Sequence, residues 1–280
     1  MAKIIGVHGV GQQYKGENSL RAEWLPCLND GLARAGHQLV SDTDFECAFY
    51  GDLFRLAGKA AMDPPYDAND VDDEWERELL DLWWREAARV DPAVGGPDAR
   101  TKVSVANIVQ RSLNALSQSR FFAGLAERAL VYDLKQVRRY LREPEVRRDA
   151  RSRVERTIKP DTRVIVGHSL GSVVAYEALC AHPEWPISVF VTLGSPLGIS
   201  NLIFEALDPS PQNGTGVWPP GIDHWVNIAD SGDVVALVKE LASRFGLRVT
   251  DRLVDNGAQA HDATGYLTTK EFGDAIAIGL

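Results

Sequence analysis

The sequence predicts an α/β fold built on a predominantly parallel sheet of about six strands flanked by helices. Three observations carry that expectation. Short apolar, β-branched runs recur at residues 3–10, 162–167 and 187–193 and read as strands buried on both faces. Segments with apolar residues at helical spacing separate strand candidates, the pattern of parallel strands joined by crossover helices. Two of the runs feed directly into glycine turns, at Gly9 and Gly11 and at Gly167 and Gly171.

Taken in order, the run at 3–10 is the first strand, and Leu20, Trp24, Leu25, Leu28 and Leu32 form the apolar stripe of a helix that Gly36 terminates. Residues 44–53 hold a second strand, Phe45-Glu46-Cys47-Ala48-Phe49-Tyr50. From residue 55 to 134 the pattern changes to helices joined by clusters such as Asp63-Pro64-Pro65 and Val94-Gly95-Gly96-Pro97, which reads as a helical cap inserted into the sheet core. Its apolar faces are Trp75, Leu79, Leu82, Trp83 and Ala87; Val105, Ile108, Val109, Leu113 and Leu116; and Phe122, Leu125, Leu130 and Leu134.

Beyond the insertion, Val146, Ala150, Val154 and Ile158 mark a helix that ends at Pro160. The strand at 162–167 then leads into a helix over 171–181, and strand and helix are expected to alternate onward through strands at 187–193, 224–229 and 247–254. Residues 266–278 read as one closing helix. A chain of 280 residues, 45 % of them hydrophobic, suffices for one domain over 1–280 with this insertion, in preference to two equal domains.

A net charge of −9 argues against a protein that depends on phosphate-backbone contacts, so nucleic acid is not an expected partner. Cys27, Cys47 and Cys180 lie far apart without CxxC spacing, suggesting neither a zinc site nor a disulfide framework. The first residues, MAKIIGVHGV, lack the long apolar region and cleavage site of a signal peptide. No uncharged stretch is long enough to span a bilayer. The expected setting is therefore cytoplasmic.

The chemistry concentrates at Gly167-His168-Ser169-Leu170-Gly171, between the strand Arg163-Val164-Ile165-Val166 and a helix opened by Ser172-Val173-Val174-Ala175-Tyr176. A serine on such a turn adopts strained dihedrals and projects its hydroxyl above the C-terminal edge of the sheet. Acyl transfer there also needs backbone N–H groups aimed at the oxyanion. Leu170 follows the serine, and Val10 lies in the glycine turn after the first strand; that turn lacks the lysine of a P-loop and the spacing of GxGxxG.

Six histidines compete for the role of base. His8 and His168 belong to the two oxyanion turns, His37 follows a helix cap, His182 ends a helix and His224 starts a strand. His261 instead lies in a loop, Asn256-Gly257-Ala258-Gln259-Ala260-His261, after the last strand. The acid is expected just after the preceding strand, where Asp233 has turned off the strand axis, whereas Asp230 is placed to cap the turn through its own backbone.

VHGVG, VGHSLGS, TLGSPLG, the Asp within NIADSGDVV and a late His together resemble the lipase and esterase branch of the α/β-hydrolases. The resemblance covers residues 1–53 and 135–280. It implies the α/β-hydrolase fold and ester hydrolysis through an acyl-enzyme, with Ser169, Asp233 and His261 at the triad positions and Val10 and Leu170 at the oxyanion positions. No metal or organic cofactor is needed for that mechanism.

The expected substrate is a small-molecule or lipid-like ester with an apolar acyl group, for which Trp75, Trp83 and Trp84 are candidate pocket or lid residues, although aromatic residues at helical spacing more often form core. The same triad serves thioesterases, amidases and peptidases. A different class is a partner-binding hydrolase-fold protein, in which the arginines at 138, 139, 142, 147, 148, 151, 153 and 156 dock acidic partners or phospholipid headgroups at a membrane surface. Interspersed Glu143, Glu145, Asp149 and Glu155 favour a solvated helix face instead.

Overall fold

Side-chain alternation along six short strands sets the layers of the molecule. A computed structural model describes residues 2–55, 66–97, 105–119, 127–257 and 260–280, with residues 105–107 described by backbone alone. The strands are β1 (Ile4–Val7), β2 (Phe45–Ala48), β3 (Val164–His168), β4 (Val189–Leu193), β5 (His224–Asp230) and β6 (Val249–Val254). They form one sheet in the order β2-β1-β3-β4-β5-β6, and every pairing is parallel. The all-parallel arrangement agrees with strands that are apolar on both faces.

Ile4, Val164, Val166, Val189 and Val191 join the side of the core formed with α1 (Glu17–Ala35), while Ile5, Val7, Ile165 and Phe190 join the opposite side. Each fully buried Val, Leu, Ile or Phe contributes about 1.5–3 kcal/mol by leaving water, so a one-residue slip of any inner strand would forfeit both faces at once. On the α1 side lie α8 (Ala263–Leu267) and α9 (Lys270–Ala277). On the other side lie α2 (Glu74–Val90), α3 (Val105–Gln118), α4 (Glu127–Arg142), α5 (Pro144–Thr157) and α6 (Leu170–Ala181).

This division follows from handedness. The step from β1 to β2 and the step back from β2 to β3 run in opposite directions across the sheet. Right-handed crossovers therefore place α1 on one face and the β2–β3 connection on the other. The reversal lies between β1 and β3, and in open α/β sheets the crevice at the C-terminal ends of such a strand pair is where ligands bind.

Several expectations shift in detail. The closing helix over 266–278 is two helices, because the Thr269 side chain caps α9 by accepting a hydrogen bond from Phe272 N at 3.2 Å. Strand and helix do not alternate strictly after β4: the β4–β5 connection carries a short 3₁₀ turn at Phe204–Ala206, and the β5–β6 connection carries the four-residue α7 (Ala242–Phe245). Pro196, Gly198, Pro209, Pro211, Pro219 and Pro220 in the first of these leave little chain able to form a longer helix.

In the inserted region, the boundary expected at residue 134 falls inside α4. Phe122, Leu125 and Asp63-Pro64-Pro65 lie outside the described residues, as do Ala258, Gln259 and the side chain of Val105. Ile108 is exposed rather than part of an apolar face, whereas Val109, Leu113 and Leu116 are buried.

The arginine run is largely committed to the protein itself. Arg147 joins the buried Glu177 on α6, which also accepts from Tyr140 Oη at 2.6 Å; Arg138 reaches Asp73, Arg151 reaches Asp208 and Arg153 reaches Asp52. These pairs tie α4 and α5 to neighbouring elements, so the run is not one continuous cationic face. Cys27, Cys47 and Cys180 are unpaired. Among the described residues, no helix is long and apolar enough to cross a membrane.

Candidate active site

The strand β3 and the helix α6 each extend one residue closer to Ser169 than the sequence pattern suggests, leaving it alone on the turn between them. Its φ of 52° and ψ of −129° are costly for a residue with a Cβ and persist because the surrounding structure fixes them. Next to it, Gly171 admits the approach of β1 to α6: a Cβ there would lie 2.2 Å from the carbonyl oxygen of Val7. That contact brings the turn after β1 alongside the turn after β3.

Ser169 Oγ lies 3.0 Å from Nε2 of His261, and Nδ1 of His261 lies 2.7 Å from Oδ2 of Asp233. Ser169 is 3 % exposed and Asp233 fully buried, while the His261 side chain retains 18 % exposure. Three residues separated by 64 and 28 positions in the sequence thus form one hydrogen-bonded chain. An ionised Asp233 accepts from Nδ1–H, which leaves Nε2 to accept from the serine hydroxyl.

Asp233 is set up for that role. Burial alone would raise its pKa, but the His261 charge and hydrogen bond, with Lys239 and the Tyr266 hydroxyl, outweigh burial and hold it at about 2. Oδ1 accepts from the backbone N–H groups of Val235 and Ala236 at 2.8 and 3.1 Å, and Oδ2 also accepts from Tyr266 Oη at 2.7 Å. Lys239 Nζ bonds the Asp233 carbonyl oxygen. Gly194, at φ +52°, leaves room for this contact, since a Cβ there would sit 2.6 Å from Asp233 Oδ2.

Asp230 instead shapes the loops. Its Oδ1 accepts from Gly232 N at 2.7 Å, its Oδ2 accepts from Asn256 N, and its own N–H donates to Tyr266 Oη at 2.8 Å. It therefore caps its own turn and holds the start of the loop that carries His261. Burial raises its pKa.

Leu170 is the first residue of α6, where an amide N–H has no acceptor within the helix and the helix dipole is positive. Leu170 and Val10 both line the cavity that contains Ser169 and His261. The Val10 turn is held from behind by His8, whose Nδ1 donates to the Gly9 carbonyl at 2.7 Å and whose Nε2 accepts from Tyr50 N at 3.2 Å. Burial lowers the His8 pKa to about 4, which keeps the ring neutral and able to accept that bond.

His168 plays a matching part on the other side. Its Nε2 donates to the backbone carbonyl of His261 at 2.8 Å. Burial, with the nearby His261, lowers its pKa to about 3. The sequence placed these two histidines in the turns but did not reveal their partners, because neither Tyr50 nor the His261 backbone is close in sequence. Tyr266 was likewise unseen as a site residue, reading only as a helix position.

The cavity is small, about 50 Å³ in volume. Leu79 and Trp83 from α2 and Leu130, Asp133 and Val137 from α4 line it, together with Pro196, Ile199, Ile203 and Val235. Of the three tryptophans singled out in the sequence, Trp83 alone lines this cavity. Trp75 donates from Nε1 to Leu202 O at 3.2 Å, and Trp84 donates to Gly95 O at 2.7 Å while its ring lies beside Arg111. Among the described residues, no group of three or more His, Cys, Asp or Glu side chains could hold a metal ion.

A hydroxyl hydrogen-bonded to an imidazole, itself oriented by a carboxylate, is chemically a nucleophile with its base. No family model, curated protein or solved structure matches the chain.

Proposed function

We propose that the chain is a serine hydrolase of the α/β-hydrolase type that cleaves a carboxylic ester with an apolar acyl group. The observation that carries this reading is the Ser169–His261–Asp233 chain on a strained strand-to-helix turn at the β1–β3 crevice. Ser169 Oγ attacks the ester carbonyl carbon as its proton passes to His261 Nε2. The oxyanion then faces the N–H groups of Leu170 and Val10, and Asp233 remains ionised beside the imidazolium.

Collapse of this intermediate breaks the acyl–oxygen bond, and His261 returns the proton to the departing alcohol. Water then attacks the acyl-serine with His261 again as base, releasing the acid and restoring the serine hydroxyl. The α2 and α4 residues act in this reading as a cap over the serine, and their aliphatic and indole surfaces favour a hydrocarbon chain over a charged acid.

The test is hydrolysis of short-chain nitrophenyl esters by the wild type and by Ser169→Ala. Loss of turnover on the order of 10⁴-fold in a folded variant supports the reading. Full activity in that variant overturns it. Thioesters, amides and peptides run alongside assign the leaving group, which fold and triad leave open.

A further inference from the structure

The cavity is apolar except at one point that the hydrolytic chemistry does not use. Asp133 projects from α4 into the space shared with Ser169 and His261, between Leu130 and Val137 of its own helix and facing Leu79 and Trp83 of α2. It is the one carboxyl group among the described residues that line the cavity. It also abuts the turn after β1, since a Cβ on Gly11 would lie 3.5 Å from Asp133 Oδ1.

Within the described residues its hydrogen-bond partner is Gln136, whose Nε2 donates to Oδ1 at a long 3.3 Å. A carboxylate accepts about four hydrogen bonds, so one long bond leaves most of its capacity unused. Asp133 is half-buried beside hydrocarbon walls, where a carboxylate is costly unless water or a ligand supplies a donor. Burial pushes the Asp133 carboxyl up to about 7, offset in part by the charge on His261. An apolar pocket that merely needed filling would be served by Leu or Val at this position.

We infer that Asp133 forms a subsite that reads a hydrogen-bond donor, a protonated amine or a hydroxyl, carried on the apolar part of the substrate. This inference rests on the hydrolase reading above for its link to turnover. A chain entering between α2 and α4 meets hydrocarbon along its length and the carboxyl at one point, so the site discriminates a donor-bearing chain from its methyl-capped analogue. Gln136 also donates to Gln13 Oε1 at 3.3 Å, which orients the amide and fixes where Asp133 sits.

Two readouts on the full chain test it. The first is turnover of nitrophenyl esters from butanoyl to octanoyl in three versions, with terminal ammonium, hydroxyl or methyl. The second is calorimetric binding of the matched amines, alcohols and methyl ethers to the Ser169→Ala chain. Wild type is expected to favour a donor-bearing ester over its methyl analogue at one chain length by about tenfold or more in kcat/KM. Asp133→Leu is expected to abolish that ratio. Asp133→Asn removes the charge and keeps hydrogen-bonding atoms, so loss of the ammonium preference with the hydroxyl preference retained identifies a cation as the natural group, and equal retention of both identifies a neutral donor.

A structural role for Asp133 would depress all three ester versions together and leave the ratios at one. That result, or a wild type with no donor preference in turnover or binding, overturns the inference while Ser169-dependent hydrolysis stands. Donor-selective binding that depends on Asp133 in a chain that hydrolyses no ester supports the subsite and overturns the hydrolase reading.

Discussion

The His168 ring and the His261 backbone are joined directly: Nε2 of one donates to the carbonyl oxygen of the other at 2.8 Å, and the two rings lie 4.8 Å apart. The residue preceding Ser169 thereby anchors the loop that carries His261.

From this bond, His168→Ala is expected to lower kcat by up to about 100-fold with little change in KM, because a displacement near 1 Å of a catalytic group costs that much. His168→Gln, which can donate from its amide, is expected to recover part of the loss. Wild-type kcat in a folded His168→Ala chain would remove the anchoring role.

The two aspartates divide differently. Asp233→Asn is expected to cost on the order of 10⁴-fold in kcat, since an amide favours the wrong imidazole tautomer, whereas Asp230→Asn acts through loop order and costs far less. The reverse ranking in steady-state kinetics would transfer the acid role to Asp230.

Asp233 also carries a pH signature in stability. Its pKa in the folded chain, about 2, lies below the ordinary aspartate value of 3.8. The stabilisation is therefore complete above about pH 4 and lost as pH falls towards about 2, and it amounts to about 2 kcal/mol. Urea unfolding of wild type and Asp233→Asn should give a stability difference that shrinks through that window. A difference that stays constant there would contradict the charge pairing.

Trp83 and Trp84 are adjacent in sequence but differ in surroundings. Both are buried, and truncating either should cost about 3–5 kcal/mol of stability. Trp83→Ala is expected to change the ratio of long-chain to short-chain ester turnover, because its ring lines the cavity, and Trp84→Ala is expected to leave the ratio unchanged. Melting temperatures identify conditions in which each variant is folded. An unchanged ratio in folded Trp83→Ala would mean that Trp83 does not contact the acyl chain.

The parallel sheet was legible because buried strands such as Val164 to Val166 and Val189 to Val191 are apolar without interruption. Ser169, His261 and Asp233 were legible because their types and chain order constrain them. What periodicity could not supply was contact across distant segments: His8 with Tyr50, Tyr266 with Asp233, and Asp133 with the β1 turn. Trp83 and Trp84 show the same limit, since a helical stripe identifies a buried face without saying which side chain meets the cavity. The expected long closing helix failed because Thr269 is a capping residue with no glycine or proline to announce it.

Labelling by a fluorophosphonate probe, with the modified residue identified by mass spectrometry, tests directly whether Ser169 is a nucleophile. A phosphonylating probe needs an activated serine, and in the proposed reading Ser169, with His261 Nε2 at 3.0 Å, supplies it. One labelled site, Ser169, is expected, with labelling abolished in Ser169→Ala and strongly slowed in His261→Ala. Absence of labelling in the folded wild type, or a modified residue other than Ser169, would contradict it.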